Sequence, residues 1–105
     1  MLQCDVVNCG GFTGARKIAA MAEAYYVPFA PHNPNGPICT AASIHVAASS
    51  PNFLIMEEGN TQTGQYNQIF KGGWKASLAS WEIPETPGHG ADLSSDFVKE
   101  YRVNL

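Results

Sequence analysis

Three short apolar runs, Asp5-Val6-Val7, Val27-Pro28-Phe29-Ala30 and Phe53-Leu54-Ile55-Met56, alternate with two stretches of helical period. That alternation limits the folds open to the chain more than any other feature. Each run is short and bounded by glycine, proline or asparagine, so each reads as a strand. The first meets Asn8-Cys9-Gly10-Gly11, where glycine lets the backbone swing sharply. After it, Ala15, Ile18, Ala19, Ala22 and Tyr26 recur at three and four while Arg16, Lys17 and Glu23 fall elsewhere. This predicts an amphipathic helix over 14–25, with Thr13 as candidate N-cap. The second run closes on Pro31-His32-Asn33-Pro34-Asn35-Gly36-Pro37, a loop stiffened by its prolines. Pro37 suits the first turn of a second helix, continued at helical spacing by Ile38, Ala41, Ala42, His45 and Ala48 until Ser49-Ser50-Pro51 stops it.

Strand, helix, strand, helix, strand with short links means parallel strands joined by right-handed crossovers, as in doubly wound sheets and barrels. Three strands are too few for either. A parallel sheet wants both faces covered and its edges paired, and two helices cannot do this. The chain therefore reads as a piece of a larger body. Its 14% of charged residues, against about 25% in ordinary globular domains, agrees, since little of it is built for water. An independent small α/β binding module is disfavoured for the same reason: bare parallel edges aggregate. Residues 59–105 lack the strand and helix alternation of residues 1–58. Trp74, Trp81, Ile83, Pro84, Pro87, Gly88 and Gly90 read there as short strands and turns, and Ser94-Ser95-Asp96 opens a short helix to about Tyr101.

Nine acidic against six basic residues offer no basic patch for nucleic acid. No run approaches the roughly 18 apolar residues of a membrane span, and the first residues lack the pattern of a signal peptide. A cytoplasmic protein without nucleic-acid or membrane partners is expected. Cys4, Cys9 and Cys39 are odd in number and lack CxxC spacing, which favours reduced thiols. A metal site built from Cys4, Cys9, His32 and Cys39 is disfavoured, because such ligands usually come in close pairs.

Asp5, His32 and Glu57 each lie in, or at the C-terminal end of, one of the three runs. Barrel enzymes place their catalytic groups at that end of their strands. Taken alone, the pattern leaves two readings open: a shared site, or acids at strand ends with a structural histidine beside prolines.

The segments themselves have a recognisable form. Asp5-Val6-Val7-Asn8-Cys9-Gly10-Gly11, Lys17-Ile18-Ala19-Ala20-Met21-Ala22-Glu23-Ala24-Tyr25, Ala30-Pro31-His32-Asn33-Pro34-Asn35-Gly36-Pro37 and Pro51-Asn52-Phe53-Leu54-Ile55-Met56-Glu57 resemble galactonate-dehydratase-like members of the enolase superfamily, of the mandelate racemase/muconate lactonizing enzyme type. The resemblance is to the sixth to eighth units of their (β/α)8 TIM-type barrel. The spacing agrees, with 27 positions from Asp5 to His32 (32 − 5) and 25 from His32 to Glu57 (57 − 32). Trp81-Glu82-Ile83-Pro84 with Pro87-Gly88-His89-Gly90 is similar to the family's C-terminal tail, which returns to a capping domain.

The resemblance implies a fragment of a Mg2+-dependent sugar-acid dehydratase of galactonate or gluconate type. Such an enzyme removes a proton α to a carboxylate and expels the β-hydroxyl. It implies that His32 is a general acid/base, that Asp5 holds its far ring nitrogen, and that Glu57 hydrogen-bonds the substrate carboxylate as it becomes an enediolate. Asn33 is a further candidate for touching substrate, or else a turn former. Glu58, His45 and His89 are expected to be solvated or structural. The family's metal ligands come from the third, fourth and fifth strands, so no metal ligand is expected in this chain, which should be inactive alone. A homo-oligomer is expected of the full-length enzyme. Two rivals follow: a racemase or epimerase of the same superfamily, and a non-catalytic remnant or complementing fragment. Cys4, where relatives often carry proline, and His89, where leucine is common, are departures from the pattern.

Overall fold

The structure, a computed structural model, describes residues 1–58, 69, 80–83 and 85–103. The chain divides into two compact units, Met1–Asn60 and Thr61–Leu105.

In the first unit three extended segments, at about residues 2–5, 27–32 and 53–57, lie side by side in parallel, the order that the sequence predicts. Among the described residues, however, they meet through single bridges rather than continuous strands: Leu2 with Phe29, Asp5 with His32, and Phe29 with Phe53. The first two bridges share one offset, 27 residues (29 − 2 and 32 − 5), so one register joins the first segment to the second. Leu2 donates to Pro28 at 2.8 Å, Ala30 to Leu2 at 2.9 Å and His32 to Cys4 at 3.1 Å. The third segment starts in register, with Phe29 donating to Asn52 and Leu54 to Phe29. Pro31 then has no N–H to continue the ladder. The next bond runs from Glu57 to the Pro31 carbonyl at 3.2 Å. The third segment thus advances three residues, Leu54 to Glu57, while the second advances two, Phe29 to Pro31. Such an extra residue interrupts a strand and re-aims the side chains beyond it. Val6 and Val7, expected to continue the first strand, instead begin the turn that leads to the first helix.

The first helix, α1, spans Gly11–Ala24, starting three residues before the predicted position. Its N-cap is Gly10, at φ 94 and ψ 32, and not Thr13. Gly10 adopts a left-handed conformation that costs glycine nothing, and Gly14 donates to its carbonyl at 3.2 Å, so the helix is under way before residue 13. Ala15, Ala19 and Ala22 form its buried stripe. Tyr26, predicted to extend that stripe, lies beyond the helix end and is 96% exposed. α2 spans Pro37–Ala48, with Pro37 in its first turn as expected. Its buried positions are Cys39, Thr40, Ala41, Ser43, Ile44, Val46 and Ala47. That range goes well beyond the single predicted stripe, and Ile38 and Ala48 are exposed. A helix covered on most sides has no strong apolar periodicity to read.

Phe29 is fully buried at the centre of a cluster with Val6, Ala15, Ala19 and Val46. The small alanines let α1 approach closely, and complete burial of such a side chain stabilises by about 1.5–3 kcal/mol. Polar ties close the periphery. Arg16 donates to the Ser50 hydroxyl at 3.0 Å, and the Asn52 amide donates to the carbonyls of Ala19 and Val27.

In the second unit the predicted terminal helix is present as α3, Ser95–Tyr101, with Ser94 as an extended N-cap. Phe97 and Tyr101 stack at 4.6 Å between ring centroids. Gly88 and Gly90 take positive φ in the preceding turn. Trp74 and Pro84 lie outside the described residues.

Candidate active site

A parallel bridge directs its two residues to the same face, so the shared offset of 27 sets Asp5 and His32 side by side. Three positions separate Phe29 from His32, which puts them on opposite faces of an extended segment. Phe29 faces the helices; His32 therefore faces away from them. Its side chain remains 44% exposed, with Nδ1 3.4 Å from Asp5 Oδ2 and Nε2 3.6 Å from Glu57 Oε2. The three residues singled out in the sequence thus meet, with the imidazole between two carboxylates.

Asp5 is held from several sides. Oδ1 accepts from the Val7 N–H at 2.8 Å, and Oδ2 accepts from the Asn8 amide at 3.0 Å and the Asn35 amide at 2.8 Å. Burial on its own would raise its pKa; the bonds from Val7, Asn35, His32 and Asn8 outweigh it and hold the carboxyl below its ordinary value. At neutral pH Asp5 is a carboxylate and can only accept. Nδ1 of a neutral His32 consequently carries the hydrogen, and Nε2 presents its lone pair.

Glu57 is placed by backbone on both sides. Its own N–H donates to Pro31, and its Oε2 accepts from the Asn33 N–H at 3.2 Å. The 3.6 Å from His32 Nε2 is too long for a direct hydrogen bond, so the two groups face one small volume between them. The extra residue between Leu54 and Glu57 accounts for this aim: register set by Phe29 and Phe53 (53 − 29, or 24) would bring residue 56 opposite His32, whereas Glu57 stands there at an offset of 25.

Asn33 behaves differently from the other candidates. Its side chain is fully buried, and its amide donates to the Thr40 hydroxyl at 2.8 Å. What it offers the site is its main-chain N–H, given to Glu57. Two site residues escaped the sequence reading, Asn8 and Asn35. Both were visible only as turn formers, though an asparagine three residues after an aspartate in a glycine turn is a signal for such a bond. Glu58 is exposed, His45 is half-buried within α2, and His89 sits in an exposed turn where its Nδ1 accepts from the Ala91 N–H.

Among the described residues no three His, Cys, Asp or Glu side chains are arranged to hold a metal ion. The Asp5 oxygens are already occupied by Val7, Asn8 and Asn35. The described residues do not fit the Mg2+ that the resemblance implies. Among the described residues no helix is long and apolar enough to cross a membrane.

Comparison with known proteins decides the family. Residues 1–97 match the model of the enolase C-terminal domain-like family. The chain belongs to that family. As an enolase C-terminal domain-like chain it is 39% identical over 99 residues to a D-xylonate dehydratase of Haloferax volcanii, which covers 94% of the chain and 24% of the relative. It is 32% identical over 104 residues to a D-gluconate dehydratase of Thermoproteus tenax, covering 98% of the chain and 21% of the relative. With a D-galactonate dehydratase of Xanthomonas campestris pv. campestris it shares 38% over 112 residues, 99% of the chain and 29% of the relative. Among solved structures, a putative mandelate racemase/muconate lactonizing enzyme from Burkholderia SAR-1 superposes with a TM-score of 0.86 at 39% identity, covering 94% of this chain and 25% of that one. A mandelate racemase/muconate lactonizing enzyme-like protein from Rubrobacter xylanophilus gives 0.83 at 35%, covering 96% and 26%. The chain spans roughly a quarter of the length of these relatives.

Proposed function

We propose that this chain supplies the acid/base side of a sugar-acid dehydratase site, in which His32 exchanges a proton with substrate through Nε2. The observation that carries this reading is the pairing of His32 Nδ1 with Asp5 at 3.4 Å, which leaves Nε2 facing Glu57. A carboxylate behind the ring fixes its orientation and stabilises the imidazolium formed when Nε2 takes up a proton. Glu57 would hold a substrate oxygen beside that nitrogen, and the Asn33 N–H and the extra residue before Glu57 would fix its place. Asn33 itself is then a positioning residue. The reaction needs an α-proton beside a carboxylate and a β-hydroxyl that leaves as water, to which the imidazolium can deliver its proton. The names of the relatives support this class of substrate, aldonates such as xylonate, gluconate or galactonate.

We assign the metal ligands, and the remaining strands of a (β/α)8 barrel of which this chain would form the sixth to eighth units, to residues outside these 105. On this reading the chain alone does not turn over.

A chimera tests the proposal, with residues 1–97 replacing the matching part of the Xanthomonas campestris D-galactonate dehydratase. The chimera should form 2-keto-3-deoxy acid from an aldonate panel, and His32→Asn should lower kcat by about 100-fold or more. A His32→Asn chimera as active as its parent would contradict the assignment. The racemase reading draws on the mandelate racemase/muconate lactonizing description of the structural neighbours. Deuterium exchange at the α-carbon without elimination would favour it.

A further inference from the structure

The turn that carries Asp5 also brings two sulfurs together. Cys9 Sγ donates to Cys4 Sγ at 3.8 Å. The backbone around them is tied by hydrogen bonds: Asn8 and Cys9 donate to the Asp5 carbonyl at 3.1 and 2.9 Å, Gly11 to Val6 at 3.0 Å, and His32 to Cys4 at 3.1 Å. Gly14 presses against the same turn, since a Cβ there would lie 1.8 Å from the Cys9 carbonyl oxygen. The folded chain therefore holds Cys9 over Cys4. Both thiols are half-buried, within reach of a small oxidant, whereas Cys39 is buried in α2 with its sulfur 3.8 Å from the Ser43 hydroxyl.

We propose that Cys4 and Cys9 form a reversible disulfide that closes the turn around Asp5. The sulfurs must approach from 3.8 Å to about 2.05 Å. The oxidant is a peroxide. Cys9 gives its proton to solvent, its thiolate attacks one peroxide oxygen, the O–O bond breaks, and the departing hydroxide takes up a proton, leaving water and a Cys9 sulfenic acid. Cys4 sulfur then attacks Cys9 sulfur, the S–O bond breaks, and the hydroxyl leaves with the Cys4 proton as a second water. Two thiols and one peroxide become one disulfide and two waters. Burial, and then its neighbour Cys9, push the Cys4 thiol up to about 12, so Cys4 stays a thiol until an electrophilic sulfur forms beside it. A low-molecular-weight thiol reopens the ring by exchange. The six-residue ring encloses Asp5, whose carboxylate stands behind His32. The pair is reduced at rest and closes under peroxide.

The test uses the purified chain, treated with hydrogen peroxide, alkylated and read by mass spectrometry. The expected product has lost two hydrogens, carries one alkylated thiol at Cys39 and regains both hydrogens with dithiothreitol. Cys4→Ser and Cys9→Ser each abolish the loss. In glutathione buffers the wild-type pair should be oxidised with an equilibrium constant at least about tenfold larger in native buffer than in concentrated guanidinium chloride, equivalent to about 30 mV. Three free thiols after peroxide, a disulfide that includes Cys39, a disulfide-linked dimer, or equal constants in the two buffers would each overturn the proposal.

Discussion

Asp5 is buried yet ionised, because four donors converge on it and together exceed the cost of removing its charge from water. Its aspartate identity was readable in the sequence beside His32. Its support was not, since Asn8 and Asn35 come from two separate loops that only the folded chain brings together. The lowered pKa has a thermodynamic consequence with a definite sign. Folding favours the ionised form, so Asp5 contributes stability above its ordinary value of 3.8, and that contribution fades as pH falls through the lower folded value. Asp5→Asn should therefore be less stable than wild type at about pH 5, with the gap closing at more acid pH. Urea midpoints measured across that range check this, and a gap that stays constant with pH would contradict it.

α1 illustrates what periodicity alone misses at an element's ends. Its C-terminus is closed by two reverse bonds, Tyr26 N–H to Glu23 at 2.9 Å and Val27 N–H to Ala22 at 2.9 Å. This is the pattern of a Schellman cap, whose left-handed position usually holds glycine. Here Tyr26 occupies it at φ 56. The sequence shows only an aromatic at helical spacing, which predicts a place in the stripe that it in fact terminates. A left-handed non-glycine residue costs about 1–2 kcal/mol, and the Tyr26 ring is exposed. Tyr26→Gly is expected to stabilise the first unit by about 1 kcal/mol, measured as a higher urea midpoint. An unchanged or lower midpoint would show that the ring is held by contacts after all. The second and third extended segments were legible from their apolar runs; the first lies ahead of its run, since Val6 and Val7 already turn, and the interruption of the ladder was not legible. Pro31 removes one donor, and the extra residue before Glu57 shows only in the fold, as the step from an offset of 24 between Phe29 and Phe53 to 25 between His32 and Glu57.

The alternation of extended and helical segments and the family were legible, because both depend on patterns repeated over many residues. What the pattern could not give is how the interrupted ladder aims its side chains. In the first unit Val7, Phe53, Leu54 and Ile55 are exposed apolar residues, between 41% and 62% accessible, on or beside the three segments. A self-contained domain would bury such a group or break it with charge. This fits a chain that spans about a quarter of its relatives. Within that quarter the two bridges sharing an offset of 27, followed by one inserted residue, bring Asp5, His32 and Glu57 to a single point. Nitrogen NMR of the histidine rings tests this most directly. Neutral His32 should be the Nδ1–H tautomer in the wild-type chain, and should lose that preference in Asp5→Asn while His45 and His89 are unchanged. An Nε2–H ring in wild type, or a His32 signal indifferent to Asp5→Asn, would contradict it.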